Sequence, residues 1–355
     1  MNMIQIIWYE IMRVYVRTGL YFLHKKITVK GLENIPKKGA VLFIPNHQNA
    51  LIDAILIPTT NKRNIFFLTR AAVFKNEKVA KFLSTLNMLP VYRIRDGLST
   101  VENNIAIFEK CFDILKQGKS VEIFAEGEHH LDRRILPLKK GFARILLGTM
   151  EKYPGTSIQI VPVGINFDSH LSFPSSVSIY YGEAIDATKY IDVKKPDLRF
   201  TEITKTVSKA MKKLTLHVGD VANYEAIIEK LEANGIDYLN PVEANKMLEH
   251  IDKLPNKQKR ASKKTNWFAP IHFITKLNSI FPLLIWRKLK GGITDKLFMN
   301  SFRFALIATL FPFFYLLQAG IIYYFSNFKY ALIYLALCIL LGFISKKTMT
   351  IANSL

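Results

Sequence analysis

Between Ile27 and about Val218, short apolar runs alternate with helix-like stretches, and this alternation restricts the chain to an α/β architecture. Strand candidates are Ile27–Val29, Ala40–Ile44, Ile65–Leu68, Leu89–Tyr92, Ser120–Phe124, Ile158–Val163 and Val177–Tyr181. Helices are expected at Ala50–Ile57, Lys78–Leu86, Thr100–Lys116, Gly141–Lys152 and Phe200–Leu216. The order predicts a mixed sheet flanked by helices. Such sheets build their sites where strands exit, which directs attention to the residues just beyond each strand.

The first of these exits is the most telling. The apolar run Val41–Ile44 ends in Pro45-Asn46-His47-Gln48-Asn49-Ala50-Leu51-Ile52-Asp53. An imidazole takes a proton near neutral pH, and a carboxylate fixes its tautomer and stabilises the imidazolium that forms. Six residues of regular helix turn through roughly 600°, so His47 and Asp53 meet only if the chain between them is not one continuous helix. His47 is therefore expected in the loop, with Asn49 as N-cap and Asp53 in the first turns of the helix.

Three further stations follow. Leu89-Pro90-Val91-Tyr92-Arg93 brings an arginine out of a short strand. Phe124-Ala125-Glu126-Gly127-Glu128-His129-His130 precedes Leu136-Pro137-Leu138-Lys139-Lys140-Gly141, and Val161-Pro162-Val163-Gly164 is an apolar strand turned by proline and glycine. Together they suit acyl transfer from a thioester to an alcohol on a phosphorylated molecule. His47 with Asp53 is the base, and Arg93 offers a fork for phosphate, with Lys139 and Lys140 as point charges. Backbone N–H groups near Gly127 are candidates for the developing oxyanion, and Glu126 for the acceptor's hydroxyl or for holding Arg93. The acidic and histidine residues between Glu126 and Asp132 lack the spacing of a known metal site, so no metal and no cofactor beyond the thioester co-substrate is expected. A Gly-x-Ser-x-Gly elbow, which a serine hydrolase would need, is absent.

These four stations, in this order, resemble the glycerophosphate and lysophosphatidate acyltransferases marked by a His-(x4)-Asp motif. The resemblance covers roughly Ile27 to Ile185, and Val29-Lys30-Gly31-Leu32-Glu33-Asn34-Ile35-Pro36 is similar to that family's approach to the first motif. It implies His47 as base, Asp53 as its partner, and Arg93 and Glu126 as acceptor-binding residues. Two departures stand out: five residues separate His47 from Asp53, and Glu128-His129 occupies the place of a usual Thr-Arg. Both look like the fungal glycerol-3-phosphate and dihydroxyacetone-phosphate acyltransferase branch, which also has a histidine four after the motif glutamate, here His130. The resemblance then implies Gly127, His130, Arg133 and Lys139 as further substrate-binding positions, with Arg133 or Arg134 replacing the missing arginine. The implied partners are an acyl-CoA or acyl-carrier-protein donor and a glycerophosphate-type acceptor, lysophosphatidate or glycerol 3-phosphate. A lyso-aminolipid acceptor, or a non-catalytic lipid-binding role on the same fold, is the alternative.

A net charge of +21 demands an acidic partner. Basic residues cluster beside apolar segments at Lys253–Lys264, Arg287–Lys290 and Lys346-Lys347, and no nucleic-acid motif appears, which favours membrane phospholipids over nucleic acid. Phe304–Phe325 and Ala331–Ser345 are read as a transmembrane helical hairpin with both ends cytoplasmic, placing the catalytic domain on that face. Trp267–Trp286 and the N-terminal helix read as interfacial. The expected organisation is an N-terminal interface helix (1–26), a catalytic domain (27–220), a helical segment with basic linker (221–266) and a membrane region (267–355). Cys111 and Cys338 have no nearby partner and fit a reducing compartment.

Overall fold

The computed structural model describes residues 3–92, 102–191, 196–257 and 267–349. The strands are β1 (His24–Lys30), β2 (Ala40–Pro45), β3 (Ile65–Arg70), β4 (Met88–Val91), β5 (Ser120–Glu122), β6 (Ile158–Phe167), β7 (Ser175–Tyr181) and β8 (Ile185–Asp186). They form one mixed sheet in the order β1-β7-β6-β2-β5-β3-β4, with β8 paired to β6. From β6 to β4 all neighbours run parallel, while β7 and β8 are antiparallel to β6. The strand β2 lies between β5 and β6, so its exit opens mid-sheet. Several boundaries differ from expectation: β1 begins at His24 and β6 runs on to Phe167. The strand β5 stops at Glu122, and the Gly127 amide, at φ +74°, donates to Phe124 O at 3.1 Å to close a turn. The strand β8 is only two residues long, too short to leave a pattern.

The helices are α1 (Met3–Leu23), α2 (Ala50–Thr60), α3 (Glu77–Thr85), α4 (Asn103–Lys116), α5 (Gly141–Lys152) and α6 (Pro196–Leu214). Consecutive residues of β2 serve opposite layers. Leu42 and Ile44 pack with Cys111, Phe142, Leu146 and Val207 of α4, α5 and α6, whereas Val41 and Phe43 pack with Leu20 of α1 and Ile52 and Leu56 of α2. A strand buried on both faces reads as an unbroken apolar run, which is how β2 announced itself. Each such side chain contributes about 1.5–3 kcal/mol on burial.

The helices α7 (Tyr224–Ala233) and α8 (Pro241–Glu249) close a small core with Leu216, Val218, Leu231 and Tyr238. This segment is tied to the α/β body. Tyr224 Oη accepts from Arg133 N at 2.7 Å, and Leu239 O accepts from Ser178 Oγ at 2.7 Å.

The C-terminal region holds α9 (Ala269–Asn278), α10 (Ile280–Gly291), a 3-10 turn (Lys296–Phe298), α11 (Met299–Ala308), α12 (Leu310–Phe325) and α13 (Phe328–Thr348). Two helical runs, Lys296–Phe325 and Phe328–Thr348, are long and apolar enough to cross a membrane. Only 6% and 17% of their most apolar windows are buried, unlike the core helix of a soluble protein. The outward-facing hairpin starts later than Phe304, because Phe304 and Ala308 belong to the core beneath α1. Gly19 permits that contact, since a Cβ there would sit 2.8 Å from the Phe304 ring. The segment 267–286 divides at Ser279, and its polar residues face the hairpin. His272 Nε2 meets Thr348 Oγ1 at 2.8 Å, Thr275 Oγ1 meets Ser345 Oγ at 2.9 Å, and Tyr334 Oη donates to Asn278 Oδ1 at 3.0 Å. Phe273, Leu277, Phe281 and Leu284 stay exposed, as do Ile4, Ile7, Ile11 and Val14 of α1.

Candidate active site

Asn46 explains why an apolar strand ends in a polar pair. Its amide clasps the neighbouring strand β6, donating to Ile165 O at 3.0 Å and accepting from Ile165 N at 2.7 Å. The next residue then turns out of the sheet. His47 Nδ1 lies 3.0 Å from Asp53 Oδ2, and the same oxygen accepts from Gln48 N at 2.7 Å and Asn49 N at 2.6 Å. Asp53, fully buried in the first turn of α2, thus caps its own helix from inside and orients the imidazole at once. The expected Asn49 cap is not made: its side chain forms no capping bond, and its Nδ2 is buried without a partner. The tight entry leaves Ala50 at φ +39°, a conformation costing about 1–3 kcal/mol that the surrounding bonds hold in place.

A second buried carboxyl braces this loop. Glu126 Oε1 accepts from His47 N at 3.1 Å, while Oε2 accepts from Leu136 N at 3.0 Å and meets His130 Nε2 at 2.9 Å. The His130 amide closes the ring by donating to His47 O at 3.2 Å. Both oxygens of Glu126 accept bonds from inside the protein, and Oε1 holds the His47 backbone in place. His130 belongs to the same brace. The Gly127 amide donates to Phe124 O. The absent side chain of Gly127 makes room for Lys139, whose Cγ would lie 3.1 Å from a Cβ there.

Arg133 is also redirected. Its guanidinium donates to Phe167 O at 2.9 Å and Asp168 O at 3.3 Å and stacks 3.3 Å from the Tyr238 ring centroid, so it cements α7 and α8 to the sheet. Arg134 pairs with Asp132 at 3.0 Å. Arg93, the expected phosphate fork, lies outside the described residues. Behind the loop, Gln48 Oε1 meets His170 Nε2 at 3.1 Å. Burial, with Arg133 and His130 nearby, lowers the His170 pKa to about 3, which keeps it neutral in that bond.

The remaining edge of His47, Nε2, has no hydrogen-bond partner among the described residues, and the residue keeps 8% of its surface open. Phe124 stacks on the ring at 4.0 Å between centroids, and His129 stands edge-on at 5.3 Å. With one nitrogen anchored and the other presented, the pair has the geometry that a general base needs. Sequence reasoning named both His129 and Phe124 without giving either a role. Phe124 stands two residues before Glu126 on the turn that places it, and that spacing was legible.

Residues 26–166 match the family model described as Acyltransferase. Over 127 residues the chain is 30% identical to glycerol-3-phosphate O-acyltransferase 1 of Saccharomyces cerevisiae, which is 34% of this chain and 16% of that protein. Over 194 residues it is 27% identical to the 1-acyl-sn-glycerol-3-phosphate acyltransferase of Borreliella burgdorferi, covering 53% of this chain and 72% of that one. Among solved structures, the 1-acyl-sn-glycerophosphate acyltransferase of Thermotoga maritima aligns with a TM-score of 0.42 at 19% identity, over 60% of this chain and 81% of that one. The class that the matched stretch defines is acyltransferase, and the resemblance read from the sequence is borne out over those residues. The chain spans only 16% of the yeast relative, and the match ends before α6 and the C-terminal region.

Proposed function

We propose that the chain transfers a fatty acyl group from an acyl thioester, on coenzyme A or acyl-carrier protein, to a hydroxyl of a glycerophosphate-type acceptor at a membrane surface. The observation that carries this reading is the His47–Asp53 pair, anchored through Nδ1 at 3.0 Å with Nε2 left open. As the acceptor oxygen attacks the thioester carbon, Nε2 takes the hydroxyl proton, and Asp53 stabilises the imidazolium. A C–O bond forms, the tetrahedral intermediate collapses, the C–S bond breaks, and the proton passes from His47 to the departing thiolate. A thioester is already activated, so no covalent acyl-enzyme is required.

Arg93, two residues after β4 in the sequence, and Lys139 are the cations we assign to the acceptor's phosphate; the relatives named for glycerol 3-phosphate and 1-acyl-glycerol-3-phosphate support an acceptor of that class. The exposed apolar surfaces of α1, α9, α10, α12 and α13, flanked by basic residues, support contact with the cytoplasmic leaflet, where an acyl chain reaches His47 without crossing water. The test is to incubate the full chain in membranes with labelled acyl thioester and a panel of acceptors, glycerol 3-phosphate, lysophosphatidate and a lyso-aminolipid, and to identify the labelled lipids. A labelled glycerophospholipid is the expected product. Label confined to free fatty acid or to an aminolipid would overturn the reading.

A further inference from the structure

The family match ends at residue 166, yet residues far beyond it reach the catalytic imidazole. The His129 ring stands edge-on between His47, at 5.3 Å, and Phe298, at 5.2 Å, with its Nε2 3.7 Å from Asp295 Oδ2. The other oxygen of Asp295 accepts from Leu297 N at 2.9 Å and caps the 3-10 turn that carries Phe298. One carboxylate therefore both shapes that turn and faces His129. The turn leads directly into α11, which is bolted to the catalytic body. Asn300 Nδ2 donates to His170 O at 2.8 Å, and Arg303 Nη1 donates to Leu171 O at 2.7 Å; both side chains are buried. Phe298 itself stays 38% exposed, so it contributes little to any core. A large aromatic next to the imidazole's neighbour, and not packed into the interior, is placed to limit what can enter.

We propose that Asp295 and Phe298 form the acceptor-facing wall of the catalytic site, holding His129 beside His47 and selecting acceptors by the bulk of the group next to the reacting hydroxyl. The selectivity rests on the acyl-transfer reading; the wall does not. Phe298→Ala opens the mouth and favours an acylated acceptor, and Phe298→Trp closes it. Asp295→Asn keeps an equally good helix cap but loses the charge facing His129, and raises the acceptor's KM while sparing the donor's.

Two measurements on the full chain decide this. The first is carbethoxylation of His47 by diethylpyrocarbonate, followed by peptide mass mapping. Phe298→Ala is expected to speed modification several-fold and Phe298→Trp to slow it. Unchanged rates in both variants would overturn the wall. The second is the ratio of kcat/KM for lysophosphatidate to that for glycerol 3-phosphate, expected to move roughly tenfold, in opposite directions for the two variants. A fixed ratio would overturn the selectivity. If the wild type acylates neither acceptor, the acyl-transfer reading and the selectivity built on it fail together, and the first measurement still decides the wall.

Discussion

The loop behind His47 and the hairpin of α12 and α13 solve opposite problems. Around His47, most of the buried polar atoms are bonded to one another, although Asn49 Nδ2, Asp53 Oδ1 and His130 Nδ1 have no partner. One oxygen of Asp53 serves the imidazole and two amides, and Glu126 serves two amides and His130. In the hairpin, Phe313, Leu316, Ile321, Ile333 and Ile339 are exposed. The first region gets its order from inside the chain, so each bond removed leaves a buried group unpaired at about 1–3 kcal/mol. The second presents surface that a bilayer covers in the proposed function. The chemistry thus sits on a rigid frame, and attachment is left to elements that can be altered without disturbing it.

The comparison is broken most forcefully at Asp53. Asp53→Asn keeps the side chain's size but cannot hold the imidazole tautomer or balance the imidazolium, and acyl transfer should fall by on the order of 10²–10⁴. A steady-state assay with labelled thioester checks this. Glu126→Gln should also reduce kcat, by less, because it loosens the His47 backbone without touching the ring. It should lower unfolding stability by about 1–3 kcal/mol, measured by denaturant titration in detergent.

A pair of phenylalanines sharpens the boundary between the two regions. Phe304 is buried under α1 beside Gly19, whereas Phe313 is 67% exposed on α12. Phe304→Ala should cost about 3 kcal/mol and Phe313→Ala within about 0.5 kcal/mol in detergent. Truncation should follow the same line. Deletion from residue 310 should leave a folded body, while deletion from 292 removes Asn300, Arg303 and Phe304 and should unfold it.

Glu122 carries the smallest expected effect. It lies in β5 on the sheet, fully buried, with neither oxygen hydrogen-bonded, unlike Asp53 and Glu126. Burial first, and the charge of Asp53 second, push its pKa well above the usual carboxylate range. Above roughly pH 4.3, where the unfolded chain releases this proton, the native state still holds it. Stability is therefore fully present below that pH and declines as pH rises toward the folded value. Glu122→Gln should flatten that decline, leaving the variant more stable than wild type at pH 8 and little different at pH 4 by thermal unfolding.

Much of this was readable in the sequence because the strands and the His47–Asp53 spacing are local patterns. The alternation gave seven strands in place, and the six-residue step forced a loop before α2. What local pattern could not reveal was direction. Glu126 and Arg133 sit in the motif region, but their donors and acceptors point inward, toward His47 N and toward Phe167 O. The same holds for Asn300 and Arg303, polar residues at the head of an apolar run that turn back to the loop at 170–171. Phe298 lies 251 positions from His47 in the chain, and only tertiary packing brings it against His129, the neighbour of His47.

The claim on which all else depends is that His47 is the base. Purified wild type and His47→Ala, matched for thermal unfolding and membrane binding, should be compared for initial rates of labelled acyl transfer to the accepted glycerophosphate. The account predicts a loss on the order of 10²–10⁴ with the fold unchanged. A variant within a few-fold of wild type would contradict it.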